Sequence, residues 1–298
     1  MQTAQSEEKI ITTANLEENS RVTIPLLVQK KERRISANTK ERLEIIGSDS
    51  NGTLVINFWD DIDKFDTQIQ EGHIYSFSGV TKAYNNRIDM NGKYVQEVMG
   101  NKAEYVPRYA ITEADYNVYD SMLKYLPEPN RKLVEYLTGY NTNTVLWSNY
   151  ITTPVTERNH YNKLGGLFLH TLNVTKLISR IIKNYPSNPA EIDTKRLITK
   201  ALLHDIGKLE SFIIDENTFS IKKIELNIDH NITGAMQILN ANKELQLFTV
   251  EEIDNIAYGV MCHKGDYGEV PIKTIEDEIL YHADILDIEI NGNQLYAN

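Results

Sequence analysis

Two patterns of hydrophobic and polar residues divide the chain near residue 105. Up to that point, short runs with a period of two alternate with turn residues, as in β-structure. Leu54, Ile56 and Phe58 fall on one face of the clearest run, and the turn signals Ser48–Gly52 and Asn91-Gly92 precede two of the runs. The predicted strands are Val22–Val28, Arg42–Ile46, Thr53–Trp59, His73–Val80 and Lys93–Val98. Five short strands in this span predict a small N-terminal β-barrel of the OB type over residues 20–105.

After Pro107 the apolar residues recur at helical spacing. Thr112, with Asp115 three residues later, predicts a capped helix that runs to Leu126. Further helices are predicted at about 129–139, 165–184, 190–209, 229–241, 250–263 and 274–288. The predicted class is α+β multidomain: an acidic arm (1–19), the barrel (20–105), a linker (106–112) and an all-α domain (113–298).

The composition is compatible with a cytoplasmic protein without a membrane partner. No apolar stretch approaches the roughly 18 residues that span a bilayer, and the first residues do not resemble a secretion signal. Cys262 has no second cysteine with which to form an internal disulfide. The net charge is −11, but most of the acidic excess follows residue 105. Because bound cations would offset charge in that region, the net charge does not exclude a nucleic-acid partner.

Several histidines and aspartates lie on the inward faces of the predicted helices. His170 shares a helical face with Val174 and Leu177, and His204 follows Ala201 at similar spacing. A single inward histidine is more often a hydrogen-bonded core residue than a ligand, but several such helices and a His-Asp dipeptide together favour a metal centre. Imidazoles and carboxylates suit Mn, Fe, Co, Ni or Zn, and Mg is a further option. The predicted ligands are His170, His204, Asp205, His230, His263 and Asp284.

Six ligands are more than one ion needs, so we predict two divalent ions that share Asp205 as a bridge. Two ions about 3.5–4 Å apart can activate water and stabilise in-line displacement at phosphorus. The residues therefore favour a metal-dependent phosphohydrolase in which Asp205 is essential for catalysis. Lys208 lies one turn after His204 and is a second catalytic candidate, because its ammonium group could bind a substrate phosphate. A solvated lysine near a helix end is the competing interpretation.

The predicted ligands carry a family resemblance. His170, His204-Asp205 and Asp284 match the H…HD…D signature of HD-domain phosphohydrolases, and His230 and His263 match the two additional histidines of members with two metals. The local strings GGLFLHTL, LLHDIGK and EDEILYHAD resemble the YhaM-type 3′–5′ exoribonucleases. That family also has an OB-fold domain before its HD domain.

The resemblance implies a two-metal phosphodiesterase, with Mn favoured, that removes nucleoside 5′-monophosphates from the 3′ end of single-stranded RNA. DNA as a substrate and assembly into a homo-oligomer are left open. One alternative is an HD-type phosphohydrolase of a small nucleotide, in which the barrel serves assembly or regulation. Another is a nucleic-acid-binding or protein-binding module in which the HD domain has only a structural role.

Candidate nucleic-acid contacts are weaker signals. The run Lys30-Lys31-Glu32-Arg33-Arg34 is placed by the strand prediction in the first barrel loop, which borders the ligand groove of OB folds. Trp59 is predicted to point away from the Leu54–Phe58 face, where it could stack on a base. A solvated loop and a structural tryptophan are the competing interpretations. The candidate contact residues are Lys30, Lys31, Arg33, Arg34, Trp59, Tyr84 and His160, with Arg87 beside Tyr84.

Overall fold

A computed structural model describes residues 11–35, 40–84, 87–157, 159–184 and 192–292. The chain divides into two units. The first contains the described residues up to Arg108 together with Ile214–Ile221, and the second contains Tyr109–Ile213 and the described residues from Lys222 onward. Among the residues described, none of the helices combines the length and apolar character that crossing a bilayer requires.

The first unit contains a closed five-stranded barrel with the strand order β1-β2-β3-β5-β4. All neighbouring strands are antiparallel except β3 and β5, which pair in parallel. A short helix, α1 (Ile62–Gln68), lies between the third and fourth strands. The strands are β1 (Arg21–Ile35), β2 (Glu41–Ser48), β3 (Thr53–Phe58), β4 (Ile74–Tyr84) and β5 (Arg87–Glu97). The structure confirms the predicted OB-like barrel.

Alternating residues fill the barrel interior. Leu54, Ile56 and Phe58 are at most 1% exposed, as their period of two predicts. The Phe58 ring packs on Phe65 of α1 at 4.2 Å between centroids. Burial of Phe65 therefore anchors α1 to the barrel interior.

Two strand boundaries differ from the prediction. The run from Lys30 to Arg34 lies within β1 and pairs with β2; it is not a loop. Its charged side chains form ion pairs with their neighbours, so a charged sequence can continue as a strand. Asn91-Gly92 also lies within a strand, β5, where Asn91 pairs with Val80 across an irregularity in the ladder. The turn predicted at this dipeptide is therefore wrong.

The second unit is mainly helical. The predicted capping box is present, because the Thr112 side chain accepts from Asp115 N–H while the Asp115 side chain accepts from Thr112 N–H. The helices are α2 (Glu113–Tyr125), α3 (Glu128–Thr138), α4 (Thr144–Tyr150), α5 (Gly166–Asn184), α6 (Thr194–Leu203), α7 (His230–Leu245), α8 (Val250–Cys262) and α9 (Ile275–Gly292). Two three-residue strands, β6 (Phe212–Ile214) and β7 (Ile221–Lys223), pair after α6.

The sixth helix ends earlier than its hydrophobic pattern predicts. It stops at Leu203, and a 3₁₀ turn, Ile206–Glu210, replaces its predicted last turn. Gly207 in that turn packs against the start of α7, since a Cβ at this position would lie 2.0 Å from the His230 carbonyl oxygen. This contact requires glycine and brings the start of α7 close to the chain segment that follows α6.

Candidate metal centre

The six predicted metal ligands come from five helices or their ends. His170 lies in α5, His230 is the first residue of α7 and Asp284 lies in α9. His204 and His263 directly follow the last residues of α6 and α8. Asp205 lies outside the α-helical region, with φ −108° and ψ 14°. The backbone change after Leu203 allows two consecutive side chains to point toward the same centre.

A first group contains His170, His204 and Asp284. His170 Nε2 lies 3.1 Å from His204 Nε2 and 3.0 Å from Asp284 Oδ1. His204 Nε2 lies 3.9 Å from the same Asp284 oxygen. All three residues are buried, with exposures between 0% and 6%.

A second group contains Asp205, His230 and His263. Asp205 Oδ1 lies 3.1 Å from His230 Nε2 and 3.6 Å from His263 Nε2. Its other oxygen, Oδ2, lies 3.6 Å from His170 Nε2 and 3.7 Å from His204 Nε2. One carboxylate therefore presents one oxygen to each group of ligands.

Two carboxylate oxygens at this centre have no hydrogen bond to any residue that the structure describes. Asp205 Oδ1 and Asp284 Oδ1 are buried, and neither has a hydrogen-bond partner of acceptable geometry among the described residues. Asp284 Oδ1 is close to His170, but closeness alone does not make a hydrogen bond. Because buried acceptors are normally satisfied, these oxygens and the converging imidazoles fit a site for divalent cations.

The protonation of the histidines differs within the centre. Burial lowers the pKa of His204, and burial lowers the pKa of His263 to about 4, so both are neutral imidazoles near neutral pH. Burial also opposes charge on His170, but the Asp284 and Asp287 carboxylates outweigh it and raise the pKa of His170 to about 9.

The two aspartate ligands keep their charge. Burial would raise the pKa of Asp205, but Lys208 and the neighbouring histidines hold it well below its usual range. Burial likewise opposes charge on Asp284, and the adjacent His170 lowers its pKa. Both carboxylates therefore remain available as anionic ligands.

The other ring nitrogens also have partners. His204 Nδ1 lies 2.8 Å from the Ala201 carbonyl oxygen. His263 Nδ1 lies 2.6 Å from the Val260 carbonyl oxygen. When Nδ1–H donates to these carbonyls, each ring presents its Nε2 lone pair to the centre, as a metal ligand requires.

Two further predicted residues lie beside the ligands. The Lys208 ammonium is 2.9 Å from Asp205 Oδ2 and is 13% exposed, so it borders the centre. The His160 ring lies 6.4 Å from the His170 ring between centroids. Burial lowers the pKa of His160, which therefore offers a neutral ring near neutral pH.

The basic run in β1 is matched by acidic side chains. Arg33 pairs with Asp63 at 2.8 Å and with Asp66 at 2.7 Å. Lys31 also pairs with Asp66, at 2.9 Å. Lys30 and Arg34 both contact Glu32, and Arg34 also contacts Glu44. The charge available for a phosphate backbone is therefore smaller than the sequence of the run indicates.

The aromatic candidates of the barrel lie beside cations. Lys40 and Arg42 approach the face of Trp59, at 5.6 and 5.4 Å from the ring centroid. The indole N–H of Trp59 donates to Asn91 Oδ1 at 3.1 Å. Tyr84 is 59% exposed, and Arg87 lies 5.9 Å from its ring centroid. These are two cation–π arrangements on one barrel.

Comparison with known proteins agrees with this centre. Residues 167–289 match the family model of the HD domain. This region is an HD domain. HD domains bind divalent metal ions, and the match implies a metal-dependent phosphohydrolase. The matched region contains all six predicted ligands.

One solved structure is similar to part of the chain. It is a domain of replication protein A from Methanococcus maripaludis, with 16% sequence identity and a TM-score of 0.26. The match covers 30% of this chain and 93% of that domain. A TM-score of this size supports no conclusion about fold or ligand.

The sequence pattern did not identify the carboxylates that contact the Nδ1 atoms of the ligand histidines. Asp287 Oδ2 lies 2.8 Å from His170 Nδ1, and Asp229 Oδ1 lies 2.9 Å from His230 Nδ1. Asp287 follows Asp284 by three residues, a spacing that puts both carboxylates on one helix face. That spacing was a usable signal, whereas Asp229 is the N-cap of α7 in the structure and carries no comparable spacing signal.

Proposed function

We propose that the protein is a two-metal phosphodiesterase that acts as a 3′–5′ exonuclease on single-stranded RNA. The observation that supports this proposal best is the position of Asp205, whose two oxygens face two groups of ligands. His170, His204, Asp284 and Asp205 would hold one ion, and Asp205, His230 and His263 the other. Mn is the preferred candidate because of the resemblance to the YhaM-type family.

When bound, the ions would supply Lewis-acid stabilisation of a phosphoryl group and would activate water for in-line displacement. The protein contributes the positions and protonation states of the ligands. His204 and His263 offer neutral nitrogens that are oriented by backbone carbonyls, so they need not lose a proton to bind a cation near neutral pH. Asp205 and Asp284 remain ionised and balance the positive charge that a pair of divalent ions brings.

Lys208 is suited to bind a substrate phosphate. Its ammonium has three donors, and the contact with Asp205 occupies one of them. A phosphate oxygen beside Asp205 could accept another, so Lys208 would position the scissile group and stabilise its developing charge. His160 is half-buried and offers a neutral ring nitrogen for a hydrogen bond to the same substrate.

The barrel supports a polymeric substrate. An OB-like barrel with a half-buried Trp59 and an exposed Tyr84 could stack unpaired bases on these rings, a mode of binding that is tolerant of sequence. Release of nucleoside 5′-monophosphates from the 3′ end is inferred from the family resemblance. In-line displacement alone is compatible with either polarity.

The direct test is digestion of 5′-labelled single-stranded RNA in Mn²⁺. The proposal predicts a descending ladder of labelled products together with unlabelled nucleoside 5′-monophosphates. Immediate release of a labelled mononucleotide would indicate the opposite polarity. Cleavage of a circular strand would indicate an endonuclease, and either result would contradict the proposal.

A small-nucleotide phosphohydrolase is the second candidate. The observation that favours it is the pairing of Arg33 and Lys31 with acidic side chains, which reduces the charge available to a polymer. A panel of mononucleotides assayed beside the labelled RNA separates the two functions. Turnover of a mononucleotide with no shortening of the RNA would favour this alternative.

A further inference from the structure

The four histidines of the candidate metal centre differ in what orients their rings. The Nδ1 atoms of His204 and His263 face backbone carbonyls of the preceding helical turn. His170 instead faces Asp287 Oδ2 at 2.8 Å, and His230 faces Asp229 Oδ1 at 2.9 Å. Each group of ligands thus contains one histidine beside a carbonyl and one beside a carboxylate.

The pair between His170 and Asp287 is buried. Their side chains are 1% and 5% exposed, so water does not compete effectively for the contact. His170 Nε2 is turned to the opposite side, where it lies 3.0 Å from Asp284 Oδ1. A ring held through Nδ1 by a fixed acceptor has one orientation and presents Nε2 to the centre.

Asp287 is itself held in place. Asn291 donates to its Oδ1 at 2.7 Å. The Tyr161 phenol also interacts with Asp287: burial and then this carboxylate raise the pKa of Tyr161. Asn173 donates to the Tyr161 oxygen at 2.9 Å, which leaves the phenol proton free to donate elsewhere. The Asn291 amide therefore restricts the rotamer of Asp287 in addition to His170.

We propose that Asp287 is a positioning residue for the metal ion bound by His170, His204 and Asp284. Its carboxylate accepts the Nδ1 proton of His170, fixes the tautomer with a free Nε2 lone pair and makes that lone pair more basic. This inference rests on the proposed function only in requiring that His170 binds a metal ion. It does not depend on the substrate.

Asp229 provides an internal comparison. It makes the corresponding contact with His230, but its side chain is 53% exposed and also pairs with Lys264. Solvent and the lysine share its charge, so its effect on His230 is smaller. The effect of removing the charge should therefore be larger at Asp287 than at Asp229.

The experiment measures Mn²⁺ affinity by competition with a fluorescent chelator. In the full-length protein, Asp287→Asn is expected to weaken one Mn²⁺ site by about 10–100-fold, the usual effect of losing such a partner. Asp229→Asn should weaken binding less than Asp287→Asn. Asp287→Glu should restore part of the affinity, and Glu289→Gln, at an exposed position on the same helix, should leave both sites unchanged.

Two further measurements separate positioning from folding. The ¹⁵N imidazole spectrum of His170 should show a single Nδ1–H tautomer in Mn²⁺-free wild type at a pH above its pKa, and a mixture in Asp287→Asn. If Asp287→Asn does not fold, Asn291→Ala keeps the carboxylate but frees its rotamer, and it should cause a smaller loss of affinity. Circular dichroism in chelator establishes folding of each variant.

The outcomes are distinguishable from failure of the proposed function. Wild type and a folded Asp287→Asn with equal Mn²⁺ affinities at both sites would overturn the positioning role, whatever the hydrolysis rate. If Asp287→Asn does not fold and Asn291→Ala does, a wild-type Mn²⁺ affinity in Asn291→Ala would overturn the positioning role of Asp287. A wild-type protein that binds no Mn²⁺ would overturn the proposed function and this inference together.

Discussion

The barrel and the HD domain use charged residues in opposite ways. Arg33 and Arg34 of β1 are paired with carboxylates at the surface, where each of these side chains is partly or largely exposed. In the HD domain, Asp205 Oδ1 and Asp284 Oδ1 are buried beside converging imidazoles and have no hydrogen bond within the part of the chain that the structure describes. These cations of β1 are paired with carboxylates, whereas the carboxylates and imidazoles in the HD domain fit a site for divalent cations.

This difference shows which charged motifs carry chemistry. A surface ion pair contributes little stability and can be exchanged at little cost. A buried carboxylate oxygen without a hydrogen bond costs more, so two such oxygens beside converging imidazoles indicate a bound ligand. Buried carboxylate oxygens that converge with imidazoles are therefore a stronger functional signal than the density of charge along the sequence.

The largest expected effect is at the carboxylate that faces both ligand groups. Asp205→Ala should lower hydrolysis of RNA and of a nitrophenyl phosphodiester by at least about 10³-fold, because loss of both ions removes several kcal/mol of stabilisation of the transition state. Steady-state rates in Mn²⁺ provide the measurement. Asp254→Asn, at an exposed position of α8, is the matched control and should retain wild-type rates. A wild-type rate of hydrolysis in Asp205→Ala would contradict the distinction between the paired charges of the barrel and the metal-binding carboxylates of the HD domain.

A smaller loss is expected at Lys208. Lys208→Met should lower the hydrolysis rate by about 10–100-fold, since it removes a donor beside Asp205 while all six metal ligands remain. The Mn²⁺ content should not change. Lys243→Met, at an exposed position of α7, tests whether loss of a lysine charge alone has an effect. Equal rates for these two variants would assign Lys208 to the solvated surface.

The barrel makes a separate prediction about binding. Trp59→Ala should weaken binding of a long single-stranded oligoribonucleotide by about 1–3 kcal/mol, the usual contribution of a stacked base. Hydrolysis of the nitrophenyl phosphodiester should remain unchanged. Arg33→Ala should have the smaller effect on binding, because Asp63 and Asp66 already neutralise this guanidinium. Fluorescence anisotropy at fixed salt gives the affinities of both variants. A larger loss of affinity in Arg33→Ala than in Trp59→Ala would show that Arg33 leaves its ion pairs to bind the RNA.

The smallest expected effect concerns stability against pH in chelator. The pKa of His170 is raised from about 6.5 to about 9, so its contribution to stability is complete below pH 6.5 and disappears as the pH rises through 9. The melting temperature should fall across this interval, and His170→Gln should reduce the fall. Excess Mn²⁺ should also reduce it, since a metal ligand is already deprotonated. A fall of equal size in wild type and in His170→Gln would contradict the assignment.

Local patterns predicted much of the fold because they report which side of an element is buried. The alternation of Leu54, Ile56 and Phe58 identified a barrel strand, and the Thr112 and Asp115 capping box identified the start of α2. The strand assignment failed at Lys30–Arg34 because cross-strand and side-chain ion pairs stabilise a charged strand in a way that local hydrophobicity does not reveal. The end of α6 was missed because its apolar pattern continues into the 3₁₀ turn.

The metal centre was predictable in part for a similar reason. Inward histidines and aspartates can be read from helical spacing, and they identified the residues that the structure brings together in two groups. The orienting role of Asp287 depends on where α9 meets α5, which is a tertiary contact without a local pattern. The same holds for Tyr161, whose phenol oxygen accepts from Asn173 of α5.

The metal content of the purified protein tests the central claim most directly. Elemental analysis after equilibration with Mn²⁺ and removal of free ions should give two ions per chain for the wild type and fewer for Asp205→Ala. The protein should carry no histidine tag, and circular dichroism should establish that the variant is folded. Two ions in the wild type, lost together with hydrolysis on chelation, are the predicted result. Full hydrolysis in chelator by a protein without a stoichiometric ion would contradict the account.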